Sequence, residues 1–223
     1  MVRRHVPAAA LALAVVTLSG CASSPASNTA KSANTQNLQR AQPVGQAAGG
    51  TSLPTGPGPQ ARYTVQKQPA AGTCHFRYTP SKEPLPDPAC TPGALNPDVR
   101  PETLKQTICR PSGYTKGIRP PVAVTGPEKT ANAASYGYRG DLHDAEYDHL
   151  VSLELGGDPN DPRNLWVEPP SPGHKPGGGP NNPKDQVETQ LHAAICSGQV
   201  QLRDAQQAIA TDWTTALSHL RIK

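Results

Sequence analysis

Apolar and polar positions divide this chain into stretches of different character. Val6 to Leu18 is a continuous apolar run behind Arg3 and Arg4. Residues 22–73 carry Ala, Ser, Thr, Gln, Gly and Pro with almost no large apolar side chain, a composition that buries too little surface to offset chain ordering. Periodicity begins after Cys74. Leu104 and Ile108 fall one turn apart between Arg100-Pro101 and Arg110-Pro111, which predicts a short helix from Arg100 to Cys109. Lys129 to Tyr138 reads as a short helix or a connector. Tyr147 to Pro170, YDHLVSLELGGDPNDPRNLWVEPP, sets a Gly156-Gly157 turn and an Asp158 to Pro162 loop between two apolar runs, which predicts a bent hairpin. A Pro/Gly loop follows, and then a helix that opens with Asn182 as cap, Pro183 in the first position and Asp185 in the third. Val187, Leu191 and Ile195 form its apolar stripe, and Gly198 ends it. The last helix, Leu202 to Leu220, repeats apolar groups at Leu202, Ala205, Ile209, Trp213, Ala216 and Leu217.

The opening run changes the compartment. It is too short to remain as a membrane span, and Leu18-Ser19-Gly20-Cys21 has the form of a bacterial lipoprotein cleavage site. Residues 1–21 are therefore expected to be a signal peptide. Cys21 becomes the lipidated mature N-terminus, residues 22–73 a flexible stalk, and 74–223 one domain anchored to the membrane outside the cytoplasm. An ordinary secretory peptide cut nearby is the alternative. The chain holds 5 cysteines, so four remain after Cys21 is spent. In an oxidising compartment Cys74, Cys90, Cys109 and Cys196 suggest two disulfides, and four cysteines allow three connectivities. Cys74 with Cys90 and Cys109 with Cys196 is the favoured pairing. A zinc site is the weaker alternative, because no Cys-x-x-Cys pair occurs.

The candidate chemistry lies in the hairpin. Phosphodiester hydrolysis needs a water deprotonated near neutral pH and an electrophile for the phosphate. Histidine suits the first task, and an Asp carboxylate suits a Mg²⁺ or Mn²⁺ ion for the second. Asp148 and His149 are adjacent, so on a regular strand they point to opposite faces and the chain must bend for both to serve one site. The plain alternative is a solvated Asp-His pair beside a turn.

Asp148, His149, Gly156, Gly157, Asn164 and Leu165 resemble the core of the HNH-type, or ββα-metal, nuclease superfamily: Asp-His, Gly-Gly, a loop, Asn-Leu and then a helix. More narrowly, Thr79 to Trp213 is similar to secreted actinobacterial HNH-like proteins. The resemblance implies an α+β fold with a small ββα-metal core over about 138–198, an added N-terminal Cys-containing segment and C-terminal helices. It implies Asp148 as a metal ligand, His149 as a base at a solvent-facing cleft, and Asn164 as the brace that holds the His-bearing loop. The family draws its last ligand from the following helix, where Asn182, Asp185, Glu188 and His192 all qualify. Mg²⁺ or Mn²⁺ is the expected ion, with Zn²⁺ the alternative.

Charge adds a direction. Arg62 to Lys129 holds 10 Lys/Arg against 5 Asp/Glu, whereas Arg139 to Lys223 holds 7 against 12. A polyanion would lean on the basic half, where Lys116 and Arg119 flank the candidate patch, and Lys184 is a further phosphate contact. His143 and His174 read as solvated loop residues. The expected protein is a monomer that cleaves nucleic acid without sequence specificity, since nothing marks a base-reading element. Its rivals are a non-enzymatic envelope-binding module on the same fold and a hydrolase of another phosphodiester, such as a wall polymer or a nucleotide.

Overall fold

A computed structural model describes residues 52–223, so the signal peptide, Cys21 and most of the expected stalk lie outside the described residues. At the centre stands an antiparallel hairpin. Counting two short strands before it (β1, Arg77–Tyr78, and β2, Pro84–Leu85), its strands are β3 (Glu146–His149) and β4 (Leu165–Glu168). The register pairs Glu146 with Glu168, Tyr147 with Val167, Asp148 with Trp166 and His149 with Leu165. Alternation therefore puts Glu146, Asp148, Trp166 and Glu168 on one face and Tyr147, His149, Leu165 and Val167 on the other.

Among the described residues there are five α-helices: α1 (Tyr114–Ile118), α2 (Val122–Ser135), α3 (Lys184–Cys196), α4 (Leu202–Asp212) and α5 (Ala216–His219). The fold is a small α+β domain, in general terms consistent with a ββα arrangement. The 100–109 segment is only a 3-10 turn at Pro101–Thr103 followed by further turns, yet it still buries Ile108. The expected helix near 129–138 starts earlier, at Val122, and carries Pro127 inside it. The single last helix is broken into α4 and α5, with Trp213 at the junction and its indole donating to Pro84 O at 3.1 Å.

Two apolar clusters hold these parts. One gathers Val99, Ile108, Val151, Leu155, Leu191, Ile195, Ile209 and Trp213 beneath α3 and α4. The other joins Trp166, Leu150 and Tyr136 with Phe76, whose ring stacks on Tyr136 at 4.7 Å between centroids. Both expected disulfides are present. Cys74–Cys90 closes a separation of 16 residues and Cys109–Cys196 one of 87. On the chain-entropy account the longer loop is stabilised by about 4–5 kcal/mol and the shorter by about 3 kcal/mol. Urea unfolding of Cys109→Ser/Cys196→Ser should thus show the larger loss of the two double variants; an equal or reversed order would contradict this assignment of roles.

The stalk boundary needs correction. Residues 52–73 lie along the domain as an extended strap. Gly56 N donates to Leu95 O (2.8 Å), Gly58 N to Asp158 Oδ2 (2.7 Å), and Gln66 N to Glu128 Oε1 (2.7 Å). Tyr63 Oη donates to Ile118 O at 2.6 Å and Asn132 Nδ2 to Gln68 Oε1 at 2.9 Å. The strap docks through polar contacts of its backbone and of the Tyr63 and Gln68 side chains, which need no apolar periodicity. Among the described residues no helix is long and apolar enough to cross a membrane.

Candidate active site

Gly156 and Gly157 make the turn that the hairpin loop needs. Gly156 has φ +80°, and a Cβ there would fall 2.6 Å from Val99 Cγ1. A Cβ on Gly157 would meet Val151 O at 1.7 Å, so only glycine fits. Asn164, fully buried, locks the same loop. Its Oδ1 accepts from Val151 N (3.0 Å) and Ala94 N (3.4 Å), and its Nδ2 donates to Val151 O and Asp158 O, both at 3.0 Å.

That loop presents Pro159 to His149. The His149 Nε2 lies 3.0 Å from Pro159 O. A carbonyl only accepts, so Nε2 carries the hydrogen and Nδ1 the lone pair. His149 is 7% exposed, buried rather than at an open cleft as expected. Burial lowers the His149 pKa to about 4; the Pro159 bond and Asp148 oppose the shift, and Arg119 and Lys184 add to it. The imidazole is neutral at physiological pH.

Asp148 has different partners. Its Oδ2 accepts from Lys184 Nζ at 2.8 Å and Trp166 Nε1 at 3.2 Å. Lys184, expected as a phosphate contact, is instead fully buried, and it also donates to His149 O (2.9 Å) and Glu188 Oε1 (2.5 Å). Asn182 donates to Glu146 Oε2 (3.0 Å) and Glu168 Oε2 (3.2 Å), while its Oδ1 accepts from Lys184 N (3.0 Å). Lys184 and Asn182 thus gather four carboxyl groups, Asp148 and Glu188 on the amine and Glu146 and Glu168 on the amide. Burial, followed by the charge of Asp148, raises Glu146 and takes Glu168 well above the usual carboxylate range. Glu188 is raised too, by burial first. Burial alone would lower Lys184, but Asp148, Glu188 and Glu168 outweigh it and hold the amine above its ordinary value.

A cleft of about 240 Å³ opens beside this cluster, lined by Thr115, Arg119, Ser152, Glu154, Asp185 and Glu188. Arg119 is exposed there, at the end of α1. Lys116 is exposed on α1 but does not line the cleft. Burial and then Asp148 raise Asp185. His192 does not join Asp148. It lies eight residues along α3 from Lys184, a rise of about 12 Å, with Nε2 donating to Ile108 O at 2.8 Å. The ligand atoms of His192, Cys109 and Cys196 lie within 4.8 Å of one another, a group able to hold a metal ion. With the two sulfurs joined in the disulfide, that capacity belongs to the reduced protein.

The divalent ion expected at Asp148 can be tested against these contacts. Mg²⁺ or Mn²⁺ needs several oxygen ligands at about 2.0–2.6 Å. Asp148 Oδ2 is spent on Lys184 and Trp166, Asn182 turns its NH₂ toward the acidic face, and His192 is remote. The residues as arranged do not fit an ion centred on Asp148.

Glu146 and Glu168 were missed in the sequence. Strand alternation two residues before Asp148 was the available signal for Glu146, and the cross-strand register for Glu168. The loop after β4 also differs from the solvated stretch expected. Asp144 accepts from Gly177 N (2.8 Å) and Gly179 N (3.0 Å), and these bonds, Gly177 first, hold its carboxyl down to about 2. His174 packs against Asp144 with its side chain 11% exposed, whereas His143 is 68% exposed, as expected.

No known family, curated protein or solved structure matches the chain.

Proposed function

We propose that this domain hydrolyses phosphodiester bonds in nucleic acid outside the cytoplasm, without sequence preference and with His149 as general base. The observation that carries the reading is the tautomer of His149. Pro159 takes its Nε2 hydrogen, burial keeps the ring neutral, and the lone pair at Nδ1 is left for a water molecule. Arg119 at the cleft offers a guanidinium to the phosphate. Glu188, on the same cleft and raised by burial, is suited to protonate the leaving oxygen; opposed shifts of this kind mark acid and base roles. Asp148 and Lys184 hold the strand end on which His149 stands. A divalent ion enters this reading at Asp148 only if Lys184 withdraws.

The test is cleavage of plasmid DNA and of RNA by the full chain, with Mg²⁺, with Mn²⁺ and in EDTA. Cleavage lost on His149→Ala supports the reading, and a folded chain inert toward both substrates in all three conditions refutes it. One observation favours a second reading, a non-enzymatic envelope-binding module: the ion pair that closes Asp148. Under that reading partner binding is indifferent to His149→Ala.

The location rests on Cys21, which lies outside the described residues. Cys21→Ser should shift the protein out of the membrane fraction or stall its processing; unchanged fractionation would count against the lipid anchor.

A further inference from the structure

Resting on the phosphodiesterase reading, we propose that Lys184 is the resident cation of the site: its ammonium stands beside Asp148 in place of a divalent ion, so the intact chain keeps Mg²⁺ and Mn²⁺ off Asp148. An ammonium has three hydrogens, and all three are used, on Asp148 Oδ2, His149 O and Glu188 Oε1. Lys184 has no exposed surface, and its backbone is fixed at the start of α3 by the bond from Lys184 N to Asn182 Oδ1. Trp166 Nε1 takes a second place on Asp148 Oδ2. An ion seated on that oxygen would have to displace the ammonium from its Asp148 partner in a buried place and bring a second cation against it, which is strongly unfavourable.

The same three bonds give Lys184 a positioning role. It ties the end of β3 to α3 at the carbonyl of the base-bearing residue, while the i, i+4 contact with Glu188 joins it to the cleft wall. Glu168, opposite Glu146 and tied to Asn182, sets further carboxyl oxygens on the same face as Asp148. Removing that ammonium leaves the buried Asp148 carboxylate without its cation, with the oxygens of Glu188 left by the same amine nearby.

The experiment measures Mn²⁺ binding to the full chain by loss of the free-ion paramagnetic resonance signal, together with the thermal shift in Mn²⁺. It compares the wild type, Lys184→Met, Asp148→Asn and the double variant. Wild type should show no Mn²⁺ binding that depends on Asp148 and no Mn²⁺-induced rise in Tm. Lys184→Met should bind one ion at least about tenfold more tightly and gain Tm with Mn²⁺, because a ligand that binds only the folded state stabilises it. Adding Asp148→Asn should remove both effects. If Lys184→Met does not fold without metal, recovery of its far-UV circular dichroism on adding Mn²⁺ supports the proposal, and no recovery overturns it. A wild-type chain that binds a stoichiometric Mn²⁺ lost on Asp148→Asn also overturns it, as does a folded Lys184→Met that binds none. Neither readout uses cleavage, so a failed nuclease assay and a failed cation assignment remain distinct results.

Discussion

Replacing Asn164 with alanine is expected to lower the unfolding free energy by about 3–5 kcal/mol and to take cleavage with it. The side chain is fully buried and satisfies both polar groups of Val151 as well as Asp158 O, with a longer contact to Ala94 N. Alanine leaves all of these without their side-chain partner in a fully buried place. The loop that carries Pro159 then loses its anchor, and His149 loses its orientation. Urea denaturation of the variant measures the effect. A loss below about 1 kcal/mol would show that other contacts brace the loop.

His149→Ala is expected to lower the cleavage rate by about 10²- to 10⁴-fold, the range for losing one proton-transfer group. Because the ring is buried and bonded to Pro159 O, the substitution also costs stability, about 1–3 kcal/mol for the orphaned carbonyl. A histidine at a solvent-facing cleft, as the sequence led one to expect, would have little packing to lose. Rates must therefore be compared well below the variant's Tm. His149→Gln, which keeps a donor for Pro159, should recover stability without recovering cleavage. Recovery of both would make His149 a structural residue.

Much of this site was legible because its signals are local. The Gly-Gly turn and the Asn182-Pro183 helix start follow from the backbone geometry those residues permit, and the Asn164 brace was implied by the resemblance. The Cys109–Cys196 pairing was favoured among three connectivities that the sequence leaves open, and the structure contains it. What stayed hidden is long-range and polar. Lys184 meets Asp148 across 36 residues, and at a helix start an exposed lysine is the ordinary outcome. Glu168 reads as the polar end of an apolar strand until the register sets it opposite Glu146. The strap over 52–73 has no apolar stripe, since it docks through polar contacts, among them backbone groups reaching Leu95, Asp158 and Glu128. His192 shares a helix stripe with Asp185 and Glu188, but two turns of helix carry it to the disulfide instead.

The most direct measurement is the pH dependence of cleavage by the full chain, with His149→Ala alongside. A buried imidazole whose pKa is lowered to about 4 stays unprotonated as the pH falls through 6.5, the ordinary histidine value. It gains its proton only near 4. With Glu188, raised to about 7, as the acid, the His149-dependent rate should be highest at about pH 5 to 6, decline on the alkaline side with a midpoint near 7 and decline on the acid side with a midpoint near 4. An acid-side midpoint at the ordinary histidine value, or a rate that survives His149→Ala across the range, would contradict the assignment of His149 as a neutral, carbonyl-oriented base.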